Sequence, residues 1–291
     1  MKDPLNMRNL LIRTVSGTVY VVLMVASVFT PWVAVPLAFF LIIVGIRELY
    51  KMYETPELKR SWPFANMAGI TMALAFLFAS QLYLFVRGLP HEPGIHLMIL
   101  PFEGVMLLLS VVAVFLPELI GHHEDPVRNI GMGLLSLVWI ALPLCVLFFV
   151  WSVQSPAQVL AFLILIWASD TFAYLGGSLF GKHKLAPSIS PGKTWEGFLI
   201  SCVLTAALAV GISYIPYFKA MEFTFTVWHW IVMALLVEVF GLMGDLIESL
   251  FKRKAGVKDS GKIIPGHGGV LDRVDSILFA TLPVWLFCLM V

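Results

Sequence analysis

Nine apolar runs, most of them about twenty residues long, follow one another along the 291 residues and leave no interval long enough for a separate soluble domain. A helix needs about 20 mostly apolar residues to cross roughly 30 Å of hydrocarbon. Backbone N–H and C=O groups cannot be left unsatisfied in lipid, so runs of this length fold as helices. They fall near 10–30, 32–50, 64–86, 97–117, 130–151, 157–180, 196–217, 228–250 and 274–291. The expected fold is all-α, a polytopic integral membrane protein. Composition agrees, with 59% hydrophobic and 13% charged residues where a soluble domain carries roughly a quarter charged.

The first two runs need a decision. No charge occurs from Thr14 to Ile46, and one helix of that length would extend about 50 Å. Thr30-Pro31-Trp32 supplies a break, because proline ends helices and the residue before it avoids the helical region. A tight helical hairpin is expected there. Lys2, Arg8 and Arg13 ahead of the first run resemble the start of a signal peptide. The run continues too far for one and no small-residue cleavage pattern follows, so it reads as a first membrane anchor.

Charge asymmetry gives an orientation. With a cytoplasmic amino terminus, 17 of the 19 Lys and Arg fall inside, and only Arg87 and Lys219 fall outside. Merging the first two runs lowers that to 14 of 19. The positive-inside rule favours the nine-span arrangement. Net charge is +1, which offers nothing to nucleic acid. Cys145, Cys202 and Cys288 lie far apart in apolar stretches, without metal-ligand or disulfide spacing. Residues 1–150 read as amino-terminal transmembrane helices. Residues 151–291 read as the catalytic part of the same integrated membrane domain, with cytoplasmic loops at 181–195 and 252–273.

Carboxylates stand where lipid should disfavour them. Asp170, Glu238, Asp245 and Glu248 lie in or near spans, and an ionised carboxylate at the bilayer centre costs several kcal/mol. Glu238, Asp245 and Glu248 share a helical face by spacing, and Asp272, Asp275 and Ser276 repeat the pattern at the last span. For Glu238 and Glu248, pairing that holds helices together is a competing explanation. Asp245 and Asp272 sit at cytoplasmic helix ends on either side of one loop. Carboxylates from separate helices are poor neighbours without a cation between them. Magnesium suits the position, since it commonly takes one or two carboxylates plus substrate phosphates.

That loop is rich in phosphate-binding residue types. Lys252, Arg253, Lys258, Lys262 and Arg273 are cationic, and Pro265-Gly266-His267-Gly268-Gly269 forms a glycine-rich turn. Arginine forks and lysine point charges grip phosphate oxygens. Glycine lets backbone N–H groups converge on an anion, and His267 can donate to a phosphate oxygen. The loop at 181–195 adds Ser188, Ser190 and Lys193. His122 and His123 read as solvated, and His91, His96, His183 and His229 show no ligand spacing.

The 27 residues from Ser249 to Asp275, with Lys258-Asp259-Ser260-Gly261 and Ile264-Pro265-Gly266-His267-Gly268-Gly269-Val270-Leu271-Asp272-Arg273 at their centre, resemble the signature of the phosphatidate cytidylyltransferase (CDP-diacylglycerol synthase) family. Ser169-Asp170-Thr171-Phe172-Ala173-Tyr174 and Ser188-Ile189-Ser190-Pro191-Gly192-Lys193-Thr194-Trp195-Glu196-Gly197 are similar to it as well. The likeness covers residues 160–291, and residues 1–150 match only as generic spans. The resemblance implies a largely helical membrane fold, often a homodimer. It implies CTP and phosphatidic acid as substrates, magnesium as cofactor with a second cation left open, and CDP-diacylglycerol plus pyrophosphate as products. It places Asp245 and Asp272 at the family's metal-binding positions.

On that reading Asp245, Asp272, Lys258, His267 and Arg273 form the catalytic set. Asp170, Ser188, Ser190, Lys193, Lys252, Arg253 and Asp259 bind substrate. Asp259 has the least defined role, either orienting a lysine or accepting from the nucleoside. Two other readings compete: a CTP-dependent kinase of a polyprenol or other lipid, and a transporter. The transporter reading fits poorly, because transporters place polar groups near the midplane of paired repeats. Here they gather toward one face and one half of the chain.

Overall fold

The computed structural model describes residues 7–87, 94–121, 125–219 and 225–291. Lys2, His91, His122 and His123 lie outside them. Ten helices and one hairpin follow in order: α1 Met7–Phe29, α2 Pro31–Met52, α3 Pro56–Arg87, α4 Gly94–Ile120, α5 Pro126–Gln154, α6 Pro156–Phe180, β1 Lys184–Ala186, β2 Ser190–Thr194, α7 Trp195–Ser213, the short α8 Pro216–Lys219, α9 Val227–Lys254 and α10 Leu271–Met290. Among the described residues eight helices are long and apolar enough to cross a membrane, and α4 adds a shorter apolar stretch, Leu107–Ile120. The fold is all-α and polytopic, as the apolar runs require. Large apolar side chains such as Trp32, Leu119 and Val203 cover its outer surface, which suits a chain solvated by lipid.

Prolines set the boundaries. Thr30 is extended (φ −134°, ψ 104°) and Pro31 opens α2, so the expected hairpin forms where the charge-free stretch is interrupted. Ser155 and Pro156 repeat the device before α6 (φ −151° at Ser155). Asp125 caps α5 by accepting from the Arg128 N–H at 3.0 Å, satisfying one of the donors a helix start leaves over. Two π turns, Leu137–Ala141 and Val146–Trp151, interrupt α5.

The chain divides into two compact units. One comprises Met1–Gln154 with Asp259–Leu271, the other Ser155–Lys258 with Asp272–Val291. In the first, a methyl group built on Gly133 of α5 would run into the Val114 side chain of α4. In the second, one built on Gly197 of α7 would lie 2.7 Å from the Ala173 carbonyl and 3.0 Å from the Gly177 backbone, both on α6. Lipid tails are as apolar as leucine, so such helices associate through close packing at small residues. The α6–α7 contact matters for function because it anchors the hairpin between the two helices.

Residues 181–195, expected as an irregular loop, contain that antiparallel hairpin, with Lys184 opposite Thr194 and Ala186 opposite Ser190. Its base is closed by the Trp195 N–H donating to the His183 carbonyl at 3.0 Å. Glu196, in the first turn of α7, accepts from the N–H groups of Lys182 (3.0 Å) and His183 (3.1 Å), and meets His183 Nδ1 at 2.5 Å. Thr194 caps α7 through the Gly197 N–H.

Candidate active site

In the second unit α6, α7 and α9 pack on one another, and their polar residues sort into two groups. Deep in the packing, Glu238 of α9 is buried and accepts from Ser201 Oγ (2.6 Å) and Thr205 Oγ1 (2.5 Å), both on α7. Ser201 Oγ also lies 2.9 Å from the Ser169 carbonyl of α6. Glu238 thus joins α9 to α7 through hydroxyl donors, where pairing with Lys or Arg was the competing expectation.

The second group lies along the carboxyl end of α9 and the start of α10. Lys193 Nζ on β2 meets Asp245 Oδ2 at 2.5 Å. Lys252 Nζ lies 2.5 Å from Glu248 Oε2 and 2.6 Å from Asp272 Oδ1, so one ammonium joins α9 to α10. Ser249 Oγ stands 3.2 Å from Asp245 Oδ1. Asp170 of α6 is accessible and lies in the field of Asp245 and Glu238 and of the cations Lys193 and Arg273. Asp275 lies in the field of Asp245, Asp170 and Lys252. A methyl group on Gly244 would collide with the Asp275 carbonyl, and this closeness of α9 to α10 is what brings the acids together.

The hairpin is held to the end of α9 at a second point, where Arg253 Nε donates to the Ile189 carbonyl at 3.3 Å. Ser188 and Ser190 therefore sit in a segment fixed to α9 by Lys193 and Arg253. Lys258 and Arg273 are exposed. Of the expected set, Asp170, Lys193, Asp245, Lys252, Arg253, Asp272 and Arg273 share this unit with the two serines and Lys258. Glu248 and Asp275 join them.

Asp259 and His267 belong to the first unit, with Asp259 exposed. Gly266 (φ 74°) and Gly268 (φ 86°) adopt a left-handed conformation that side chains resist, which folds the chain sharply about His267. The His267 N–H donates to the Ile264 carbonyl and the Ile264 N–H to the Gly268 carbonyl, each at 3.0 Å. That backbone donor is therefore engaged within the turn. Helix α1 binds the turn from outside: Arg13 Nε donates to the Gly266 carbonyl (2.9 Å), and Ser16 Oγ donates to the Pro265 carbonyl (3.0 Å) and lies 2.7 Å from His267 Nδ1. An open cleft of about 520 Å³ runs beside it, polar at Arg13, Thr14, Thr18 and His267 and apolar at Val21 and Val22. Arg13, Ser16, Glu196 and Glu48 were not among the expected site residues; Arg13 was read only as a charge flanking the first span and Glu196 only as part of the family-like stretch.

Among the described residues no three His, Cys, Asp or Glu side chains are grouped to chelate a metal. At the α9–α10 junction Asp245 and Asp272 are instead each met by a lysine, Lys193 and Lys252; carboxylate oxygens are the donor type that a hard cation takes together with phosphate oxygens and water.

Comparison with known proteins gives the family. The model of the cytidylyltransferase family matches residues 11–291. A phosphatidate cytidylyltransferase of Staphylococcus epidermidis is 32% identical over 244 residues, 83% of this chain and 84% of the relative. One of Pseudomonas aeruginosa is 37% identical over 229 residues, 77% and 81% of the two chains. One of Staphylococcus aureus is 31% identical over 241 residues, 82% and 83% of the two. With a match that runs through the hairpin, the acidic cluster and the His267 turn, the chain belongs to the cytidylyltransferase family.

Proposed function

We propose that this protein is a phosphatidate cytidylyltransferase, converting CTP and phosphatidic acid to CDP-diacylglycerol and pyrophosphate. The observation that carries the reading is the pair of lysine–aspartate contacts, Lys193 with Asp245 and Lys252 with Asp272, in a membrane helix bundle. An oxygen of the lipid phosphate attacks the α-phosphorus of CTP. A new P–O bond forms, the bond to the β-phosphate oxygen breaks, and pyrophosphate leaves with that electron pair. Both reactants are anions, so placement of positive charge dominates the barrier. Phosphate monoesters are mostly ionised at neutral pH, and no strong general base is needed.

Lys193 and Lys252 hold the aspartates in place and offer ammonium groups to phosphate oxygens. Arg253, Lys258 and Arg273 add charge for the triphosphate, and Ser188 and Ser190 offer hydroxyls on the braced hairpin. His267 acts as an anion ligand, oriented by Ser16. Asp245 and Asp272 are the residues that would hold magnesium, which supplies charge neutralisation at the phosphates when bound. The cleft along α1, cationic at Arg13 and aliphatic at Val21 and Val22, has the polarity of a phosphate-bearing lipid. The excess of Lys and Arg in alternate loops supports a cytoplasmic site, where CTP is available.

The test is direct. Purified protein with labelled CTP, phosphatidic acid and magnesium should release pyrophosphate and place label in the lipid fraction. Release of CDP with a doubly phosphorylated lipid would indicate a kinase instead. No CTP turnover at all would remove the proposal.

A further inference from the structure

Helix α2 carries a carboxylate that neither the metal site nor the substrate site uses. Glu48 is 3% exposed, and a buried carboxylate on a membrane helix is costly unless its oxygens are satisfied. Its neighbour Arg47 stacks over the Trp62 ring, 5.8 Å from the centroid. The partners of Glu48 come from far along the chain. Oε2 accepts from Ser260 Oγ at 3.1 Å and from the Leu271 N–H at 3.0 Å. Leu271 is the first residue of α10. Its N–H is one of the donors a helix start leaves without an intrahelical partner, and a carboxylate there also meets the positive end of the helix dipole.

The loop is shaped to that group. A methyl built on Gly261 would overlap the Glu48 carboxylate, and one on Gly269 would overlap Ser260 Oγ and approach Glu48 Oε2. Both ends of the segment Ser260–Leu271 thus close on one carboxylate, and the His267 turn is the span between them. The next residue in the chain is Asp272.

We infer that Glu48 is a positioning residue for cytidylyl transfer, fixing the two ends of the His267 loop and the entry into Asp272 with a single buried carboxylate. The inference rests on the function proposed above. Glu48 touches no reactant, and its effect passes through the loop.

Full-length Glu48→Ala, Glu48→Gln and Gly261→Ala, purified in detergent, test it by steady-state kinetics and hydrogen exchange. Glu48→Ala should lower kcat about tenfold or more, the scale on which misplaced catalytic groups act. Amides in 259–271 should exchange faster while those of α6 and α9 keep their protection. Glu48→Gln keeps an acceptor of the same shape and should recover most of the rate. Gly261→Ala should loosen the same peptide, and with Glu48→Gln it keeps the test open if the alanine variant does not fold. Unchanged kcat in a folded Glu48→Ala, unchanged exchange in 259–271, or a loss of protection in folded Gly261→Ala spread evenly over the protein would each overturn the assignment. If the wild-type chain makes no CDP-lipid, the functional reading fails, and the exchange arm alone decides whether Glu48 fixes the loop.

Discussion

Lys193 Nζ, on the second strand of the hairpin, lies 2.5 Å from Asp245 Oδ2 on α9. Both groups are partly shielded from solvent, so the contact is stronger than an exposed ion pair. It ties the hairpin to the acidic cluster and keeps an ammonium beside an aspartate proposed to bind metal.

Lys193→Ala removes the charge-assisted contact proposed between this ammonium and the nucleotide phosphates, worth about 1.5–3 kcal/mol, or roughly ten- to a hundredfold in kcat/KM for CTP. Membrane insertion and thermal midpoint should change little, because the hairpin keeps its Arg253 and Glu196 contacts. Steady-state kinetics against CTP check this. Unchanged KM together with unchanged kcat would exclude the hairpin from the site.

Asp272→Asn keeps the shape of the side chain and removes its charge. Lys252 retains Glu248, so the α9 end stays ordered while the proposed metal position loses one of its two acids. CDP-diacylglycerol formation should fall by about a thousandfold or more, on the scale of losing a main electrostatic stabiliser, with normal yield from membranes. Near-normal turnover at saturating magnesium would remove Asp272 from the site.

Glu238 is predicted to behave in the opposite way. Ser201→Ala combined with Thr205→Ala deprives this buried carboxylate of both hydroxyl donors. Hydrogen bonds between membrane helices are worth about 0.6–2 kcal/mol each, so the thermal midpoint in detergent should drop by several degrees while kcat per folded molecule stays close to wild type. A loss of kcat without a loss of stability would move Glu238 into the catalytic group.

The sequence was most legible where one residue type has one physical consequence. Pro31 had to open a helix, and charge-free runs had to span lipid. Carboxylates near the end of α9 were expected to need a metal cation, and the structure shows lysines against them, Lys193 at Asp245 and Lys252 at Asp272. The hairpin was not legible, because Pro191, Gly192 and the surrounding lysines have poor strand propensity. It forms through tertiary contacts, with Glu196 gathering the N–H groups of Lys182 and His183. Glu48 escaped notice for a different reason. Beside Arg47 it reads as an ordinary charged span end, and its partners lie 212 and 223 residues away, a separation that no local pattern encodes.

Ser188 offers a way to test the orientation. It is exposed in the turn between β1 and β2, where a cysteine replaces a hydroxyl of similar size. The native cysteines are shielded: Cys145 and Cys288 are buried, and Cys202 lies partly covered within α7. A membrane-impermeant maleimide should therefore label Ser188→Cys in sealed inside-out vesicles, and in right-side-out vesicles only after permeabilisation. The proposed orientation predicts this result, since it puts the hairpin on the side that would hold 17 of the 19 Lys and Arg. Labelling in sealed right-side-out vesicles would place those cations outside, cut the site off from cytoplasmic CTP, and leave the proposed reaction without its nucleotide.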